Sequence, residues 1–136
     1  MKTSIPASGL ERLTAQIDLG AVAHNTRIVA DHAPGAAVMA VLKADAYGHG
    51  ALPVARAVLA GGATEIGVTT VDEAVALRED GVTVPLLSWL STTGFERAID
   101  AGVRIGVSSP RQLAAVVAAA KNVGRPATVH VKVDTG

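Results

Sequence analysis

The sequence has 136 residues, the size of one ordinary domain, and is 49% hydrophobic but only 2% aromatic, so its core must be built from Ala, Val and Leu. Lys and Arg balance Asp and Glu at 12 each with no basic tract, which argues against nucleic acid and anionic membrane as partners. The absence of cysteine excludes a disulfide framework and a thiolate metal site.

Residues 1 to 13 are small and polar, broken by Pro6 and Gly9, and read as a loose leader. They lack the apolar run of a signal peptide, and no later stretch is long and apolar enough to span a bilayer, so a soluble cytoplasmic protein is expected. Thr14 to Leu19 is a short strand candidate. Asp18 is placed to cap a helix from Ala21 to about Ala33, with Val22, Ile28, Val29 and Ala33 roughly along one side and Pro34-Gly35 ending it.

Val38 to Leu42 has no polar alternation and reads as a buried parallel strand. Lys43 then stands where the strand stops. An ammonium at the end of a buried strand must be paired, be solvated at a cleft, or shed its charge and become an amine nucleophile. Taken alone, Lys43 reads as a lysine snorkelling out of a strand end.

From there a strand–loop–helix unit repeats. A helix over Ala51–Ala60 ends at Gly61-Gly62, and strand Glu65–Thr69 leads to a helix opened by Thr70, with Glu73 completing a capping box. Gly81 stops that helix, and strand Val84–Trp89 leads to a short one opened by Thr93 with Glu96 as box partner, ended by Gly102. Strand Val103–Val107 precedes Ser109-Pro110, a cap followed by proline, with Gln112 as a third box partner. That helix runs to about Asn122, Gly124 closes it, and the last strand spans Thr128 to Val133.

Such alternation predicts an α/β fold with a parallel sheet of about five strands and right-handed crossovers. An arc of a (β/α)8 barrel competes with an open doubly wound sheet. The last strand favours the barrel: Val129, Val131 and Val133 face one way, and Thr128, His130, Lys132 and Asp134 the other. A barrel strand turns one face to its helices and one to a lumen that grows polar at the catalytic mouth, whereas an open sheet wants both faces apolar. A complete barrel takes about 250 residues, so a partial TIM-type barrel, truncated before closure, is expected.

Lys43 to Gly50, K-A-D-A-Y-G-H-G, resembles the cofactor-attachment signature of bacterial alanine racemases, enzymes dependent on pyridoxal 5'-phosphate (PLP). His130 to Gly136, H-V-K-V-D-T-G, resembles the same family's motif on a later barrel strand, and the order and spacing of the two blocks agree. The resemblance covers nearly all of the sequence after residue 14. It implies that residues 20–136 are the N-terminal portion of the PLP-binding barrel, and that residues 1–19 are a leader and a strand belonging with a separate β domain.

The resemblance also assigns roles. Lys43 becomes the residue that attaches PLP and then the base on one face of the substrate α-carbon; Tyr47 binds the cofactor phosphate through its hydroxyl; Trp89 faces the cofactor ring; and Lys132 is a lysine subject to carbamylation. Without the resemblance, Tyr47 reads as a loop tyrosine and Trp89 as a packing residue. The second acid/base is implied to be a tyrosine from the partner subunit of a homodimer. The implied activity is interconversion of L- and D-alanine for peptidoglycan precursors. A racemase of broader specificity and a non-catalytic barrel fragment are the alternatives, and residues 1–136 alone are expected to be inactive.

The four histidines do not suggest a metal site: His24 and His32 stand two turns apart on one predicted helix, and His49 and His130 come from different strands with no carboxylate cluster between them. No P-loop, G-x-G-x-x-G or G-x-S-x-G pattern is present.

Overall fold

A computed structural model describes residues 14–133 and Thr135. The predicted leader, Asp134 and Gly136 lie outside the described residues. Helix α1 (Leu19–Asp31) is followed by β1 (Met39–Val41), a short turn α2 (Lys43–Gly48) and α3 (Ala51–Ala60). Then come β2 (Glu65–Val68), α4 (Val71–Glu79), β3 (Leu86–Ser88), α5 (Phe95–Asp100), β4 (Val103–Val107), α6 (Pro110–Val123) and β5 (Val129–Val131).

All neighbouring strands pair in parallel, and the sheet order is β1-β2-β3-β4-β5. This order decides between the two predicted architectures. A doubly wound sheet reverses its strand order at a switch point, whereas a barrel adds each new strand beside the last. Here no reversal occurs, so the sheet is an arc of a barrel with β1 and β5 at its edges.

The two faces differ as a barrel requires. Ile66, Val68, Leu86, Val103, Ile105 and Val107 belong to the buried core together with Val54, Val58, Ala74, Leu77, Ala98, Ile99 and Val116 of the helices. The other face carries Glu65, Gly67, Arg104 and Gly106, and a half-buried ion pair joins Glu65 Oε1 to Arg104 Nη1 at 2.9 Å. Beneath the helices, Arg78 donates to the carbonyls of Ala101, Val82 and Val84, tying α4 to the loops around it. Burial draws its pKa below the ordinary arginine value.

Several local expectations need correction. Thr14 to Asp18 form no strand, because no strand partner lies beside them among the described residues, and Leu19 already opens α1. Asp18 does cap that helix, accepting from Ala21 N at 3.0 Å. The predicted apolar side of α1 is not buried: Val22 packs on the core, but Ile28 and Val29 are exposed. Strand β1 is half-buried rather than buried because it is an edge strand. Thr93 does not cap α5, which starts from Gly94 in the left-handed region at φ 77 with no side-chain cap. The other boxes stand differently. Thr70 and Glu73 form the full reciprocal box, while Ser109 accepts from Gln112 N and the Gln112 oxygen reaches one residue further back, to Ser108 N at 2.8 Å.

Candidate active site

The carboxyl ends of the strands gather the predicted residues. Pairing continues past the strands themselves: Leu42 N donates to Gly67 O at 2.8 Å, Trp89 N to Val68 O at 2.9 Å, and Lys132 N to Val107 O at 2.8 Å. Lys43, Trp89 and Lys132 therefore leave the sheet from anchored backbone. Together with Val41, Val68, Thr69 and Leu90 they line one cavity of about 320 Å3. Among the described residues neither lysine pairs with a carboxylate. Two cations beside an apolar wall and an indole suit an anionic ligand with a flat ring, and the volume lies at the lower end of small-molecule sites.

Tyr47 does not line that cavity and is 70% exposed. It nonetheless lies beside the key amine, with Lys43 Nζ 5.7 Å from the centre of its ring. The path between the two is unusual. Ala44, Asp45, Ala46 and Tyr47 have φ of 54, 54, 52 and 56° and ψ of 48, 43, 44 and 39°, so α2 is a left-handed turn made without glycine. Each L-residue in that conformation costs about 1–2 kcal/mol. A left-handed turn still stacks residues i and i+4, so Tyr47 comes back over Lys43, but the chain leaves on the opposite hand from an ordinary helix.

Neighbouring groups compensate for this geometry. Ala46 N donates to Leu42 O at 3.0 Å and Gly50 N to Asp45 O at 3.0 Å, while Asp45 Oδ1 accepts from Ala51 N at the start of α3. From α4, Glu73 Oε1 accepts from Ala44 N at 2.7 Å, and its Oε2 accepts from Thr69 N and Thr70 N at 2.8 and 3.0 Å. One carboxylate thus joins the loop after β1 to the loop after β2. Similar side-chain bridges follow around the rim. Ser91 Oγ accepts from Val71 N at 2.8 Å and lies 2.6 Å from Ser88 Oγ. Gln112 Nε2 donates to Ser91 O and Gly106 O at 2.8 and 2.9 Å.

Sequence reasoning saw Glu73 and Gln112 only as capping partners. Each has bonding capacity that a capping box leaves unused, since a carboxylate offers about four lone-pair sites and an amide both donates and accepts. That unused capacity was the available signal. Of the histidines, His49 Nδ1 lies 2.6 Å from Ala46 O and His32 Nδ1 lies 2.7 Å from Ile28 O, both local backbone contacts. No helix among the described residues is long and apolar enough to cross a membrane.

Residues 17–136 match the family described as alanine racemase, N-terminal domain. The alanine racemase of Mycolicibacterium smegmatis (strain ATCC 700084 / mc(2)155) is 58% identical over 133 residues, which is 96% of this chain and 34% of that protein. That of Mycobacterium tuberculosis (strain ATCC 25618 / H37Rv) is 55% identical over 124 residues, 90% of this chain and 32% of the relative. Among solved structures, the alanine racemase from Streptomyces coelicolor A3(2) superposes with a TM-score of 0.84 at 48% identity, covering 88% of this chain and 33% of that one. The enzyme from E. faecalis gives 0.79 at 35% identity, with 88% and 33% covered. The chain thus spans about a third of the length of the relatives it matches.

Proposed function

The chain belongs to the alanine racemase family, matching its N-terminal domain, and on that footing we propose that it forms the PLP-binding part of an enzyme interconverting L- and D-alanine. The observation that carries this reading is the convergence of Lys43, Trp89 and Lys132 on one cavity with Tyr47 beside the Lys43 amine. The cavity fits the cofactor in kind: an amine to attach it and an apolar wall with an indole for its ring.

When bound, PLP supplies an electron sink that stabilises a carbanion at the substrate α-carbon. Lys43 is the residue that would hold it, and its amine, when free, takes a proton from one face of that carbon. Trp89 would flank the ring. Tyr47, at the far end of the left-handed turn, would donate its hydroxyl proton to a phosphate oxygen. Lys132 is proposed to carry a carbamate, formed when its ammonium gives up one proton and the resulting amine adds to carbon dioxide with loss of a second, which replaces a positive charge with a negative one at the cavity wall. Inversion requires a second acid or base on the opposite face. The resemblance assigns that group to a tyrosine of a partner subunit, so the active form is proposed to be a cytoplasmic homodimer supplying D-alanine for peptidoglycan.

The test is a full-length enzyme carrying residues 1–136, loaded with PLP and assayed for D-alanine formed from L-alanine. Turnover above the background of free PLP is expected, and PLP uptake without racemisation of alanine would overturn the substrate assignment. A narrower result is expected for Tyr47→Phe. Losing one charge-assisted hydrogen bond should weaken PLP binding by about 1.5–3 kcal/mol, read as the dissociation constant. An unchanged constant would return Tyr47 to the role of an ordinary exposed loop residue.

A further inference from the structure

The left-handed turn α2 sets the separation of Lys43 and Tyr47, yet four residues without glycine do not hold that conformation by preference. Its first residue, Ala44, has its N–H satisfied from outside the turn, by Glu73 Oε1 at 2.7 Å across a sequence separation of 29. The other oxygen of the same carboxylate holds Thr69 N and Thr70 N, the backbone that enters α4 and borders the cavity. Three N–H donors from two loops thus converge on two acceptor oxygens. Only a carboxylate presents acceptors on both sides, since an amide in the same place would turn an NH2 group toward one set of donors.

We propose that Glu73 is a positioning residue for the cofactor site: it locks the left-handed turn to the rim of the barrel and so sets where the Lys43 amine and the Tyr47 hydroxyl stand. Glu73 touches neither amine nor hydroxyl and acts through the backbone of Ala44. The role toward PLP rests on the proposed function, whereas the bridge itself rests on geometry alone.

Glu73→Gln separates bridging from capping. Glutamine is an accepted partner in a capping box, so its oxygen can keep Thr69 N and Thr70 N while its NH2 faces Ala44 N. In a full-length enzyme carrying this chain, the variant should unfold near the parent's temperature. The amides of residues 44–49 should exchange with solvent about ten-fold faster, and the PLP dissociation constant should rise about ten-fold, the effect of one lost charge-assisted hydrogen bond. Adding Ala44→Gly, which removes the steric penalty at that φ, should recover part of both losses. If the glutamine variant does not fold, Glu73→Asp carries the same expectation, because it keeps the charge and shortens the reach.

Unchanged exchange at 44–49 would overturn the bridge. Faster exchange with an unchanged PLP constant would overturn the positioning role. A parent enzyme that takes up no PLP would instead overturn the functional reading of the cavity, with the exchange measurement still judging the bridge.

Discussion

Replacing Lys43 with alanine in a full-length enzyme is expected to lower alanine racemisation by at least about a thousand-fold. A positioned general base alone is worth about 10²–10⁴ in rate, and on the proposed function this substitution removes the attachment point as well. The structure places Lys43 at the carboxyl end of β1, on the cavity shared with Trp89 and Lys132. Lys43→Arg should fail almost as badly, because a guanidinium keeps the charge but stays protonated and does not act as an amine nucleophile. Borohydride reduction of the PLP-loaded parent should leave the cofactor on the peptide containing Lys43. A label on Lys132 or Lys121, or equal labelling of the Lys43→Ala variant, would refute the assignment.

The second large effect concerns stability and is expected at Gly106. A Cβ built there lies 2.6 Å from the carbonyl oxygen of Trp89 and 3.2 Å from its carbonyl carbon and Cα. These are backbone atoms of a neighbouring strand end, so Gly106→Ala must push β3 and β4 apart. A loss of about 1–3 kcal/mol or more is expected, as for overpacking a close contact, and thermal unfolding measures it. Gly67→Ala is the informative partner. Its Cβ would meet Trp89 Nε1 at 2.7 Å and Met39 Sδ at 3.0 Å, the far ends of side chains that can move. It should therefore cost less stability while displacing the indole from its seat. Trp89 is the sole tryptophan, so its fluorescence reports that displacement directly. Equal stability losses in the two variants would show that the backbone contact at Gly106 is not the tight one.

Much of the architecture was legible because its signals are local. Strand β4 coincides with the predicted Val103–Val107, and Ala51–Ala60 with α3, since each apolar run is closed by glycine or loop residues. Ser109-Pro110 opens α6 and Gly124 ends it in the left-handed region, as those residue types dictate. Where a neighbour decided, local reading failed. Thr93 lost its cap to Gly94, whose positive φ redirects the chain before the helix, and Ile28 and Val29 look apolar in sequence but have no core to meet.

The site divides in the same way. The sequence by itself determined the candidates for the chemistry: Lys43, Tyr47, Trp89 and Lys132 stand out through the family resemblance, and Lys43 also by its place at a strand end. It also determined the strand–helix alternation that brings strand ends to one rim. Only the tertiary structure decided that Lys43, Trp89 and Lys132 share a cavity while Tyr47 stands outside it over the amine. The hand of the turn between Lys43 and Tyr47 belongs there too. Ala44 to Tyr47 contain no glycine, and the conformation persists because Glu73 accepts from Ala44 N at its start and the Asp45 carbonyl accepts from Gly50 N just past its end. A propensity is a property of one residue, whereas a strained turn is held by whatever the fold packs beside it.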